Sequence, residues 1–111
     1  MIARVWHGWT TLANADAYEA LLQSTIFPGI LAKRIPGFRR IELTRRIPAE
    51  SSQASEVEFV TVMWFESLDA IKAFAGKDWD AAVVPPPAQA LLKRFDARSQ
   101  HYQVRETREA E

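Results

Sequence analysis

The stretch Glu58-Phe-Val-Thr-Val-Met-Trp-Phe-Glu-Ser-Leu-Asp-Ala-Ile-Lys-Ala-Phe-Ala-Gly76 decides the fold. Val57 to Phe65 is rich in β-branched and aromatic residues and reads as the strongest strand of the chain. Successive strand residues point to opposite faces. Val60, Val62 and Trp64 therefore share one face, and Phe59, Thr61, Met63 and Phe65 share the other. Both faces are apolar. At Ser67 the period changes from two to helical. Leu68, Ile71, Phe74 and Ala75 fall on one side of a helix. Ser67 is a suitable N-cap, without a capping box because Ala70 stands three residues on. Gly76 is a suitable stop.

Working towards the N-terminus, Phe38 to Arg46 alternates Arg40, Glu42 and Thr44 against Ile41 and Leu43, the pattern of a half-buried strand. Pro48 to Ser55 reads as a mobile loop. Ile2 to Trp9 reads as a further strand. From Asn14 the residues favour helix, with Tyr18, Leu21, Leu22 and Thr25 on one face. Asn14 or Thr11 is placed to cap it, and Asp16 suits the positive end of the helix dipole. Pro28-Gly29 should kink or interrupt it. A second helical piece is expected over Ile30 to Arg34, ended by Pro36-Gly37. Towards the C-terminus, Lys77 to Val84 has no clear period. The run Pro85-Pro86-Pro87 blocks a continuous helix but suits a first turn, so a short helix is expected over Ala88 to Phe95. Ser99 to Glu106 alternates as a last strand, and Thr107 to Glu111 is a charged tail.

This order predicts an α+β, ferredoxin-like βαββαβ domain over residues 1–106, followed by the tail 107–111. Right-handed crossovers give a four-stranded antiparallel sheet with the helices on one face and the first and last strands as neighbours. Both faces of Val57 to Phe65 are apolar and the helices cover only one of them, so the other needs its own cover. A second copy of the chain supplies that cover by a closed twofold, so a homodimer is expected.

The composition excludes several classes. At 111 residues the chain fits one domain, and 48% hydrophobic residues are enough for a core. Fourteen basic and fourteen acidic side chains balance, so no nucleic-acid partner is expected. With no cysteine there is no disulfide, thiolate nucleophile or cysteine metal site. Two histidines are too few for a zinc site, so no metal is expected. No secretory pattern opens the chain, and no apolar run approaches the roughly 18 residues that span a bilayer. A soluble cytoplasmic protein without membrane contact is the expectation.

Three stretches together resemble the antibiotic biosynthesis monooxygenase domain family. They are Met1-Ile-Ala-Arg-Val-Trp-His-Gly8, the block Glu58 to Gly76 quoted above, and Phe95-Asp-Ala-Arg-Ser-Gln-His-Tyr-Gln-Val104. The middle block is the most specific, pairing a strand-end tryptophan with the start of a pocket-supporting helix. The resemblance implies the ferredoxin-like fold and a dimeric α/β barrel. Members of the family include cofactor-independent oxygenases of polycyclic phenols and haem-degrading proteins. The haem branch is disfavoured, because no histidine lies between Trp64 and Val84 and Phe74 stands about where the ligand would be. There is also no glycine-rich phosphate loop, so no cofactor is expected.

Within that frame Trp64 is either a pocket wall with an indole N–H donor or a core residue between sheet and helix. His7 and His101 lie on neighbouring strands, and either is a candidate general base or a bonded strand residue. His7 and Trp64 are the candidate catalytic pair. Tyr18, Phe74, Trp79, His101 and Tyr102 are the candidate substrate-binding residues, with Trp79 as a lid or a loop anchor. The cluster Lys33, Arg34, Arg39, Arg40, Arg45 and Arg46 is best read as a solvated edge strand whose charges discourage pairing. Two functions follow. One is a cofactor-independent monooxygenase acting on an electron-rich phenol, quinol or polyketide-like ring. The other is a non-catalytic ligand-binding or stress-associated protein that holds a small hydrophobic molecule.

Overall fold

The structure is a computed structural model that describes residues 1–50 and 53–111. The 48–55 segment read as a loop therefore has positions 51 and 52 outside the described residues. Among the described residues, five strands form one antiparallel sheet: β1 (Ile2–Thr11), β2 (Phe38–Arg45), β3 (Glu56–Phe65), β4 (Leu92–Phe95) and β5 (Gln100–Gln103). The spatial order is β2-β3-β1-β4, with β5 also paired to β1. This is the expected ferredoxin-like order, with the last strand delivered in two pieces.

The pieces arise from a correction to the sequence reading. The helix expected over Ala88 to Phe95 is instead α4, Pro86–Leu91, and the chain turns extended at Leu92. Leu92–Phe95 finds ladder partners on the free edge of β1, with Gly8 opposite Phe95 and Trp9 opposite Arg94. Arg94 lies over the Trp9 ring at 3.8 Å and donates twice to Glu56. These tertiary contacts override the helical preference of Leu-Leu-Lys-Arg. Residues 96–99 then leave the ladder. Asp96 stays tied to β1, donating its N–H to the His7 carbonyl at 3.0 Å and accepting from the Trp6 indole at 2.8 Å.

The helical layer covers one sheet face. α1 (Ala15–Leu21) starts where the Thr11 hydroxyl accepts from the Asn14 N–H at 3.2 Å; Asn14 makes no side-chain cap of its own. The expected interruption at Pro28 takes the form of a π-helical turn, Leu22–Ile26, followed by α2, Phe27–Ala32. Pro28 has no N–H for an i→i−4 bond, and its ring would press on the Ser24 carbonyl of a regular α-helix. The wider turn just before it relieves that conflict, so one helical rod runs from Ala15 to Ala32. α3 (Leu68–Ala75) is capped by the Ser67 hydroxyl, which accepts from the Ala70 N–H at 3.2 Å. It stops at Gly76, whose φ of +89° suits glycine. No helix among the described residues is long and apolar enough to cross a membrane.

Two clusters make up the core. Tyr18, Leu22, Phe59 and Ala88 join the rod to one end of the sheet, and Met63, Phe65, Ala70 and Ile71 join α3 to the other. Phe59, Phe65 and Ile71 are completely buried. Burying one such side chain stabilises by roughly 1.5–3 kcal/mol.

Candidate functional site

Between the two core clusters the helices and sheet do not meet, and a cavity of about 60 Å³ remains. The strand alternation supplies its floor. Arg4 and Trp6 of β1 stand opposite Met63 and Thr61 of β3, and Ile41 of β2 stands beside Met63. The roof is Tyr18 and Ile30 of the helical rod, Phe74 of α3, and the Val83–Pro85 turn. Gly8 gives Trp6 its space, since a Cβ there would lie 3.1 Å from the indole ring. Tyr18 packs its ring against Phe59 at 4.9 Å, and burial pushes its phenol up to about 12. Tyr18 is thus a neutral hydroxyl near neutral pH.

The lining is apolar and aromatic with one charged group. Arg4 is only 3% exposed. Its guanidinium donates to the Trp79 carbonyl at 2.5 Å and the Ala81 carbonyl at 2.8 Å, and lies 3.1 Å from His101 Nε2. Phe74 lies 5.5 Å beneath it. The irregular 77–85 stretch thus serves as a strap whose carbonyls hold Arg4. Burial lowers the Arg4 pKa to about 10, partly offset by the charge of Asp80. His101 is pushed below its ordinary range by burial first and by the Arg4 charge second. Arg4 can only donate, so His101 Nε2 accepts and the ring is the neutral form with its proton on Nδ1.

The expected site residues separate into three groups. Tyr18 and Phe74 line the cavity. Trp79 and His101 stand behind Arg4, with their rings edge to face at 4.9 Å. Trp79 is an anchor in this position, its carbonyl holding Arg4. His7, Trp64 and Tyr102 lie on the opposite face of the sheet. His7 pairs with Val60, and Ala3 pairs with both Trp64 and Tyr102, one alternation out of step with Arg4 and Trp6. The structure does not bring His7 and His101 together, nor Trp64 into the cavity. Trp64 instead donates its indole N–H to Glu42 at 2.5 Å, with Arg40 stacked 4.7 Å over the ring. His7 lies 3.0 Å from Glu58, whose carboxyl is held below its usual range chiefly by that bond. Trp6, one of the aromatic residues the sequence offers for such a wall, and Arg4, which was not expected, complete the site. The signal for Arg4 was present: a charge on the same strand face as Trp6, where an inward-facing residue should be apolar.

The basic cluster is divided among local partners. Arg45 pairs with Asp16 and Glu19, Arg46 with Glu58, and Arg39 with Glu66. All of these arginines are well exposed, on or beside the edge strand β2.

Solved structures share this fold over nearly the whole chain. A Bacillus cereus protein described as a candidate antibiotic biosynthesis monooxygenase superposes with a TM-score of 0.62 at 14% identity, covering 99% of this chain and 96% of its own. The fold is that of the antibiotic biosynthesis monooxygenase-like proteins. HapK from Hahella chejuensis matches with a TM-score of 0.60 at 16% identity over 100% of both chains. An ethyl tert-butyl ether D family protein from Bacillus halodurans matches at 0.55 and 14% identity, over 94% of this chain and 99% of its own. No protein-family model and no curated protein sequence matches. The monooxygenase-like fold is therefore carried here by a sequence far from those of its structural neighbours.

Proposed function

We propose that the protein is a cofactor-independent monooxygenase acting on a small electron-rich aromatic, bound in the cavity between sheet and helices. The observation that carries this reading is the cavity itself, walled by Trp6, Tyr18, Met63 and Phe74 in a fold shared with a candidate monooxygenase. A water occupies roughly 10–15 Å³ on this scale. A cavity of about 60 Å³ is smaller than the roughly 150 Å³ that takes a benzene ring, so a single ring enters only as the lining side chains move apart, and a polycyclic one does not fit. The overall reaction is phenol plus dioxygen giving quinone plus water: one oxygen atom enters the ring and the other leaves as water. The apolar walls hold ring and dioxygen together.

In the same reading the opposite sheet face belongs to a homodimer. Val5, Val60 and Val62 form an apolar strip along it, flanked by the Arg40–Glu42 and His7–Glu58 pairs. A second copy covers that strip and leaves the paired charges at its margins. His7 and Trp64 then act in association rather than in chemistry.

A binding-only function is the second reading. It is favoured by one feature: among the described residues neither a carboxylate nor a histidine lines the cavity, so no side chain there is an evident general base. Oxygen consumption by metal-free protein with a panel of substituted phenols separates the two. The oxygenase reading expects uptake matched by quinone formation, lost in Phe74→Ala and retained in His7→Ala and Trp64→Phe. Saturable quenching of tryptophan fluorescence without any oxygen uptake would establish the binding-only protein.

A further inference from the structure

Among the described residues Arg4 is a buried cation to which no carboxylate is hydrogen-bonded. The groups that face it are the Trp79 and Ala81 carbonyls, the neutral His101 of β5 and the Phe74 ring of α3. Lys33 lies on the same Phe74 ring at 5.9 Å and adds a second positive charge nearby. Asp80 is the acid that acts on Arg4, but its carboxylate is hydrogen-bonded to Arg98. Asp78 is bound to Arg98 as well. Two acids, Asp78 and Asp80, thus share the single Arg98, and Asp80 balances Arg4 from behind the strap. Among the described residues no acid lines the cavity itself, so Arg4 is the charged group that a ligand there would meet.

We propose that Arg4 is the ligand's counter-charge: the cavity binds an aromatic ring as its phenolate, with the anionic oxygen at the guanidinium and the ring against Phe74 and Trp6. This deepens the oxygenase reading and rests on it for the chemistry, though not for the binding. It also accounts for the missing base. A phenol that enters as the anion, or loses its proton to water on binding, needs no proton acceptor in the wall. The O–H bond breaks, its electron pair stays on oxygen, and the proton goes to solvent. The resulting electron-rich anion is the form that passes an electron to dioxygen. Arg4 is thus a specificity-determining residue, selecting ring oxygens acidic enough to ionise beside it.

The probe is 4-nitrophenol, whose anion has its own visible absorption band, with nitrobenzene as its neutral counterpart. An opposite charge within about 4–6 Å lowers an acid's pKa by roughly 1–3 units. Bound 4-nitrophenol is expected to titrate at least one unit below the free dye. The wild-type protein is expected to bind the phenolate at least tenfold more tightly than nitrobenzene. Arg4→Met should abolish both effects while nitrobenzene affinity stays within about threefold, and Arg4→Lys should restore part of the shift. Equal affinity of wild-type protein for the two probes would overturn the proposal, and that comparison needs no variant to fold. So would a bound dye that titrates like the free one. Oxygen uptake with phenols alongside equal probe affinities would leave the oxygenase standing and remove Arg4 from it. Selective phenolate binding with no oxygen uptake would do the reverse.

Discussion

Along β1, Arg4 and Trp6 turn towards the helices, while their neighbours Val5 and His7 turn away. The two faces of this strand treat polar groups in opposite ways. On the helix side of β1 Arg4 is buried, held by backbone carbonyls and a neutral imidazole rather than by a carboxylate, whereas Arg45 at the β2 edge of the same sheet face is exposed and paired with Asp16 and Glu19. On the open side the charges come in pairs, His7 with Glu58, Arg40 with Glu42 and Arg94 with Glu56. Paired charges beside an apolar strip are what a protein–protein contact tolerates. A single cation in an apolar cavity is what a small anionic ligand needs. In the proposed reading, ligand binding belongs to one face and association to the other.

The largest expected effect tests the helix side. Phe59→Ala removes a completely buried ring at the junction of rod and sheet. It should cost roughly 3–5 kcal/mol in urea unfolding. Val60→Ala, one residue on and facing the other way, should cost about 1 kcal/mol by the same measurement. Equal losses would mean that the two faces are not distinct in packing.

Val62→Arg addresses the open side. A charge at the centre of an apolar contact should weaken self-association about 100-fold or more, since its desolvation costs several kcal/mol. Sedimentation at increasing concentration reads this directly. A wild-type chain that stays monomeric throughout would leave the Val5–Val60–Val62 strip without its proposed partner.

A smaller effect separates the faces by pH. His101, on the helix side, has its folded pKa below the ordinary 6.5, so the unfolded chain binds the extra proton first. Its contribution to stability is complete above about 6.5 and declines as pH falls below that value. Glu58, on the open side, is also lowered, from 4.5, and its contribution is lost only as pH falls below that value. Denaturant midpoints should therefore fall in two steps on acidification. His101→Asn should flatten the upper step, and Glu58→Gln the lower. A single step unaffected by His101→Asn would show that the Arg4–His101 contact contributes nothing to the titration.

Most of the fold was legible because period and punctuation are local. The Val57–Phe65 alternation, the Ser67 cap and the Gly76 stop all stand where the sequence placed them. Leu92–Phe95 was misread because its extended form depends on the free edge of β1, a partner more than eighty residues away in the chain. The site was half legible for a related reason. Tyr18 and Phe74 could be placed from the helical faces alone. The side of the sheet reached by His7, Trp64 and Tyr102 follows from alternation only once Arg4 and Trp6 are known to face the helices. Arg4 itself looks like an ordinary strand charge until the Trp79–Ala81 strap is seen to close over it.

The central claim, that ligand binds on the helix side of the sheet, is tested most directly by the four tryptophan indole N–H signals in an NMR titration with 4-nitrophenol. The account predicts that the Trp6 signal moves saturably, while those of Trp64 and Trp9 stay within their free positions. Movement of Trp64 and Trp9 with Trp6 unmoved would place the ligand on the opposite face and contradict it.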